Sequence, residues 1–128
     1  MNFKDNFIKW ALTKDRPLSE YQEVLERIKE GKNSRLLHGV LGISGESGEL
    51  LDSVKKTIIY GKELDLTNIK EEVGDILWYI SLILSAIDSS FDEVMQLNQD
   101  KLNKRYPNGY TNSNAIKRLD KNELPENT

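Results

Sequence analysis

Apolar side chains recur along this chain at intervals of three and four residues, and no useful stretch alternates apolar with polar positions. The first period belongs to an α-helix and the second to a half-buried strand, so the pattern predicts an all-α chain. Phe3, Phe7, Trp10 and Ala11 mark a helix over about residues 3–12. Pro17 separates it from a second that begins at a Ser19 cap, carries Tyr21, Val24, Leu25 and Ile28, and stops at Gly31. A long third helix over about residues 34–60 is closed by Gly61, with Lys55, Lys56 and Lys62 near its negative dipole end. The fourth starts after a Thr67 cap, has Lys70, Glu71 and Glu72 in its first turns, and runs to about Ile87. The fifth starts at Ser89 or Ser90 with Asp92 and Glu93 in its first turn, and ends near Tyr106, before Pro107-Asn108-Gly109. The expected organisation is a single helical domain over residues 1–110, a bundle with a four-helix core. A polar, asparagine-rich segment over residues 111–128 has few apolar anchors and reads as a loosely attached or disordered tail.

Composition narrows the functional classes. At 128 residues the chain is the size of one ordinary domain. Eighteen Lys and Arg against 21 Asp and Glu leave a formal charge of -3, without the basic excess that duplex nucleic acid requires, so no nucleic-acid partner is expected. With no cysteine, disulfides and thiolate metal sites are excluded, and any metal must take oxygen ligands or the lone His38. Lys4, Asp5 and Lys9 interrupt any signal-peptide core, which points to the cytoplasm. The most apolar run, Ile76 to Ile87, is well short of the ~20 residues that span a bilayer and reads as a buried helix, so no membrane partner is expected.

The chemistry is concentrated in two acidic segments. In Gly45-Glu46-Ser47-Gly48-Glu49 two glutamates stand three apart on one helix face, where like charges repel by about 0.2–0.5 kcal/mol. Gly42, Gly45 and Gly48 each cost about 1 kcal/mol relative to Ala inside a helix, an expense that close approach by another group would explain. A solvated charged face has a similar composition, but the glycines weigh against it. The fourth helix repeats the spacing in Glu72 and Asp75, which adjoin the stripe of Ile69, Val73, Ile76, Ile80, Ile83 and Ile87. A carboxylate flanked by bulky apolar groups is partly desolvated and requires a partner. If the third and fourth helices form an antiparallel hairpin, Glu46, Glu49, Glu72 and Asp75 converge, a geometry suited to a hard divalent ion such as Mg²⁺.

These segments resemble the MazG-like nucleotide pyrophosphohydrolases of the all-α NTP pyrophosphatase superfamily, whose pattern is EExxE followed by ExxD. Here the second motif is intact as Glu72-Val-Gly-Asp75, while the first lacks its leading acid. The likeness runs from about Leu36 to Tyr110 and includes LGISGESGELLDSVKK, EEVGDILWYIS and NQDKLNKRYPNGY in that order. It implies Mg²⁺-dependent hydrolysis of nucleoside triphosphates, with Mn²⁺ as a substitute metal, to monophosphate and pyrophosphate. Glu46, Glu49, Glu72 and Asp75 would be both metal ligands and catalytic groups.

The substrate's negative charge calls for cations. Asn98, Lys101 and Arg105 follow one face of the fifth helix, with Tyr106 beside it, and the family resemblance implies that these four line a nucleotide pocket. It also matches Lys55 or Lys56 to a lysine pair of the family. Lys101 and Arg105 equally suit dipole compensation, and Lys55 equally suits snorkelling over apolar surface. Asn98 lies in the stripe of Phe91, Val94, Met95 and Leu102, where an orphaned amide would cost about 1–3 kcal/mol, so it is expected to have a partner. His38 reads as a surface residue or a peripheral substrate contact. Trp78 points away from the Ile76–Ile80 stripe, which favours a homo-oligomer, dimer or tetramer, as the family resemblance also implies. The rival is a non-catalytic helical oligomerisation module with an acidic face. A di-iron bundle is disfavoured, because neither acidic motif has the Glu-x-x-His pair such sites use.

Overall fold

A computed structural model describes residues 2–121, and every regular element among them is helical. The helices are α1 (Phe3–Leu12), α2 (Leu18–Lys29), α3 (Asn33–Ile58), α4 (Leu66–Ala86), α5 (Phe91–Arg105) and α6 (Asn112–Lys117), followed by a short 3-10 turn at Leu119–Lys121. The chain divides into two units, the first ending at Ala86 and the second beginning at Ile87. No single helix among the described residues is long and apolar enough to cross a membrane.

The first unit is built on an α3–α4 hairpin, with α2 against α3. Along one face of α3, Leu36, Ile43, Glu46, Leu50, Ser53 and Thr57 are shielded from solvent, with Gly39 buried among them and Val54 beside them. That spacing of three and four is a heptad seam. α4 answers with Ile69, Glu72, Ile76, Ile80, Ile83 and Ala86. Contacts along the seam fix an antiparallel register: Asn68 meets Ser53, Tyr79 lies on Gly42, Ile83 packs on Gly39, and Arg35 donates to the Ser85 hydroxyl at 2.9 Å. A Cβ on Gly42 would come within 2.1 Å of the Tyr79 ring, so that glycine is required by close approach.

The ends of the hairpin follow local chemistry. Gly61 (φ +68°) terminates α3 with its N–H donated to Thr57, while the next N–H, from Lys62, reaches back to Lys56. This is the double closure that a left-handed glycine makes possible. α4 begins two residues earlier than the Thr67 cap predicted: the Asp65 carboxylate accepts from the Asn68 N–H at 2.9 Å. Asp65 wins because a carboxylate both caps and complements the positive end of the helix. Similarly α2 opens at Leu18 after Pro17, without a side-chain cap from Ser19.

The apolar surface of α3 is wider than the surface α4 covers. Leu37, Val40, Leu41, Leu51, Ile58 and Ile59 remain exposed, as do Val73 and Leu77 on α4. One partner helix shields only a two-position stripe, so the remaining apolar surface is left over.

In the second unit, Ser90 caps α5 as predicted, accepting from the Glu93 N–H at 3.2 Å. Residues 112–121 differ from the loose tail their polarity suggested: Thr111 caps α6, and Arg105 holds Asp120 through two parallel hydrogen bonds of 2.6 and 2.9 Å. A single fork-shaped, charge-assisted pair supplies the anchor that apolar residues do not. Residues 122–128 of the expected tail lie outside the described residues.

Candidate active site

Glu46 and Glu72 occupy seam positions that a structural hairpin would give to Leu or Ile. Carboxylate oxygens of Glu46, Glu72 and Asp75 lie within 4.8 Å of one another. Glu72 is only 9% exposed, and its Oε2 is shielded from solvent without a hydrogen-bond partner. Its carboxyl is pushed up to about 7, first by a hydrogen bond with Glu46, then by burial, then by the negative charges of Glu49, Glu46 and Asp75. No cation is among those causes. A buried carboxyl with one orphaned oxygen and only acids for neighbours is expensive in isolation, and a divalent ion fits the all-oxygen donor set that surrounds it.

Beside the cluster, a cavity of about 520 Å³ extends along the seam. Gly45, Gly48, Glu49, Asp52, Ser53, Lys56, Asn68 and Glu72 line it. Glu49 is exposed and falls outside the three-oxygen group, although its charge reaches Glu72. Cβ atoms built on Gly45 and Gly48 meet nothing within 4 Å. Gly42 alone of the three glycines expected to admit a close neighbour has one within the chain, whereas the other two face open cavity.

Lys56 places its Nζ 2.9 Å from the Asp52 carboxylate, and Lys55 lies 3.7 Å from the other oxygen of the same group. The hydrogen bond from Lys56, then its charge, holds the Asp52 carboxyl below its ordinary range. On the opposite side of the acids, Trp78, Tyr79 and His38 form an aromatic group: Trp78 and Tyr79 are 4.8 Å apart, and His38 stands edge-on to Tyr79 at 5.7 Å. Trp78 is 52% exposed, as its helix position predicted.

The other predicted substrate contacts belong to the second unit. Lys101 and Asn98 are exposed on α5, so the Asn98 amide meets solvent and does not require the internal partner expected from its apolar stripe. The reason is that Phe91, Met95 and Leu102 around it are themselves well exposed. Arg105 is committed to Asp120 and also lies 5.9 Å from the Tyr106 ring, which stacks at a tilt on Tyr110. Asp120 is held at about 2, chiefly by its hydrogen bond from Arg105. Sequence reading passed over Asn68. Its signal was available: it lies four residues before Glu72, and Ser53 seven after Glu46, both on the seam that carries the acids.

Three comparisons with known proteins bear on this arrangement. The model of the MazG nucleotide pyrophosphohydrolase domain matches residues 36–110, a span that includes α3, α4 and all four acids. The Gene 37 protein of Mycobacterium phage L5 is 32% identical over 79 residues, covering 58% of this chain and 68% of the phage protein. No solved structure matches the chain.

Proposed function

Because this chain belongs to the MazG nucleotide pyrophosphohydrolase family, we propose that it hydrolyses nucleoside triphosphates between the α and β phosphorus atoms, releasing a monophosphate and pyrophosphate. The observation that carries the reading is Glu72, buried in the helix seam with an unpartnered oxygen and clustered with the carboxylates of Glu46 and Asp75. A purely structural hairpin gains nothing from it, because an apolar residue of similar volume packs there without the cost.

Glu46, Glu72 and Asp75 would hold Mg²⁺, or Mn²⁺ in its place, with Glu49 adjacent. When bound, such an ion neutralises phosphate oxygens and lowers the pKa of a coordinated water. In the proposed step a water oxygen bonds to the α phosphorus while the bond from that phosphorus to the bridging oxygen breaks. The bonding pair leaves with pyrophosphate, and the water's proton passes to a carboxylate. Glu49 suits that last role, since it lines the cavity but stands apart from the three clustered oxygens. Lys56, which lines the cavity, and Lys55 next to it would supply positive charge, and Asn98, Lys101, Arg105 and Tyr106 are the proposed further contacts to nucleotide. Arg105 would share its guanidinium with Asp120 or release it.

The working form would be a homo-oligomer, dimer or tetramer, acting in the cytoplasm on the nucleotide pool. Within the first unit only two helices pack along their length, and Leu51 and Ile58 on α3 are 68% and 74% exposed. A second copy would complete a four-helix core and remove that apolar surface from water. The same surface is what the rival reading, a helical interaction module without catalysis, would use.

A panel of ribo- and deoxyribonucleoside triphosphates incubated with Mg²⁺ and resolved by ion-exchange chromatography tests the proposal. Monophosphate and pyrophosphate are the expected products. Diphosphate with orthophosphate would reassign the bond, and inactivity across the panel with both Mg²⁺ and Mn²⁺ would favour the interaction module.

A further inference from the structure

The cavity beside the acids does not end at Asn68. A second hollow of about 300 Å³ continues toward the α3–α4 connection and shares Ser53, Lys56 and Asn68 as walls, adding Lys62, Glu63 and Asp65. The seam is therefore asymmetric about the carboxylates. One side is closed by Tyr79 on Gly42 and Ile83 on Gly39. The other is open and polar, with Lys56 and Lys62 set among Glu49, Asp52, Glu63 and Asp65.

Asn68 stands where the two hollows meet, and it is fixed there. Its side-chain N–H donates to the Ser53 Oγ at 2.5 Å, and its backbone N–H to Asp65. An amide has two N–H donors, so the bond to Ser53 uses one and leaves the other for the cavity. The Ser53 hydroxyl, having accepted from Asn68, keeps its own hydrogen to donate. Asn68 precedes Glu72 by four residues, about 6 Å along the helix axis. That is one turn from the carboxylates, on the same face, within reach of the second of two linked phosphate groups.

We propose that this polar channel seats the outgoing pyrophosphate and that Asn68, braced by Ser53, is the positioning residue that recognises its far phosphate and so selects triphosphates over diphosphates. The proposal rests on the pyrophosphohydrolase reading. The buried, unpartnered Oε2 of Glu72 marks the inner end of the channel, where the scissile bond would lie. Lys56 and Lys62 are the cations along its length, Lys56 shared with Asp52 and both set beside Glu63 and Asp65. A nucleoside diphosphate cut at the same bond would place only one phosphate in the channel and fail to reach Asn68.

Asn68→Ala and Asn68→Asp, with Ser53→Ala, provide the test. Asn68→Asp is close in shape, and the Ser53 hydroxyl can donate to it, so a merely structural role predicts that it is the mildest change. Recognition of phosphate predicts the reverse, because the donor is lost and a negative charge faces the ligand. With Mg²⁺ present, Asn68→Ala is expected to raise the KM for a triphosphate roughly tenfold or more, the usual cost of losing a hydrogen bond to a charged group, with kcat much less affected. Asn68→Asp should exceed that effect, Ser53→Ala should fall short of it, and the preference for triphosphate over diphosphate should shrink in the same order while melting temperatures stay close to wild type. Titration calorimetry with inorganic pyrophosphate and Mg²⁺ gives a readout independent of turnover. Equal pyrophosphate affinity in wild type, Asn68→Ala and Asn68→Asp would overturn the channel. A wild type inactive on every triphosphate, whose pyrophosphate affinity still depends on Asn68, would overturn the enzymatic reading and leave the anion site standing.

Discussion

Among the described residues, Glu72 in the first unit and Asp120 in the second are carboxylates shielded from water, and the protein treats them in opposite ways. Asp120 receives both hydrogen bonds of the Arg105 fork and is held at about 2. Glu72 has three acidic neighbours and an orphaned oxygen, and is pushed up to about 7. Burial raises the pKa of both, so the partner decides the sign. A carboxylate kept for structure is paired within the fold. One surrounded only by other acids, with an oxygen left over, indicates a cationic partner that arrives from outside.

The largest effect expected from this contrast is on turnover. Glu72→Gln keeps the shape of the seam and removes the charge, and it should lower kcat/KM by more than about a hundredfold, beyond the 10–100-fold typical of groups that only support a metal ligand. The same variant should melt at a higher temperature than wild type in EDTA, because one of four mutually repelling acids is gone. A Glu72→Gln enzyme with near-wild-type rates at saturating Mg²⁺ would erase the functional half of the comparison. Glu49→Gln and Asp75→Asn should also nearly abolish turnover while remaining folded by circular dichroism.

Titration separates the two carboxylates next. Glu72 binds its proton more tightly folded than unfolded, so metal-free stability should fall as pH rises from about 4.5 to about 7 and then level off. Mg²⁺ should flatten or reverse that slope, since it competes for the same oxygens. Asp120 has the opposite sign: its contribution is full above about 4 and is lost as pH falls toward about 2. Thermal melts across pH with EDTA and with Mg²⁺ would show both windows. A metal-free melting temperature that rises between pH 5 and pH 7 would contradict the environment described for Glu72.

Removing Asp120 should produce a purely structural loss. Asp120→Ala leaves the half-buried Arg105 without its fork and should release residues 112–121 from α5, detectable as faster hydrogen exchange in that segment. A change in Mg²⁺ affinity in that variant would blur the division between the two carboxylates. The smallest effects belong to the glycines. Gly45→Ala and Gly48→Ala meet no neighbour and should stabilise the free protein by up to about 1 kcal/mol each. Gly42→Ala drives a methyl into the Tyr79 ring and should cost about 1–3 kcal/mol by urea denaturation.

Much of this was legible from residue spacing. The limits of α1, α3 and α5 follow from apolar periodicity, Gly61 and the Ser90 cap, which act within a few residues of the chain. The pairing of Glu46 with Glu72 and Asp75 also followed, since a short connection makes consecutive helices antiparallel neighbours and two ExxE-like spacings on facing helices must then converge. The start of α4 was misplaced by competition between adjacent caps, Asp65 and Thr67, which spacing alone does not rank.

What the chain determined by itself was therefore its helices, its family and the four acids, all carried by local spacing. Only the tertiary structure decided which acid is buried, because Glu46 and Glu72 lie on the seam while Glu49 and Asp75 lie at its margin, a difference of one hundred degrees of helix rotation or less. Tertiary structure alone revealed the Ser53–Asn68 pair, fifteen residues apart in sequence, and the Arg105–Asp120 fork, also fifteen apart. Hydrogen bonds across such separations leave no periodic trace in the sequence. They depend on the register in which two helices, or a helix and a turn, come to rest against each other.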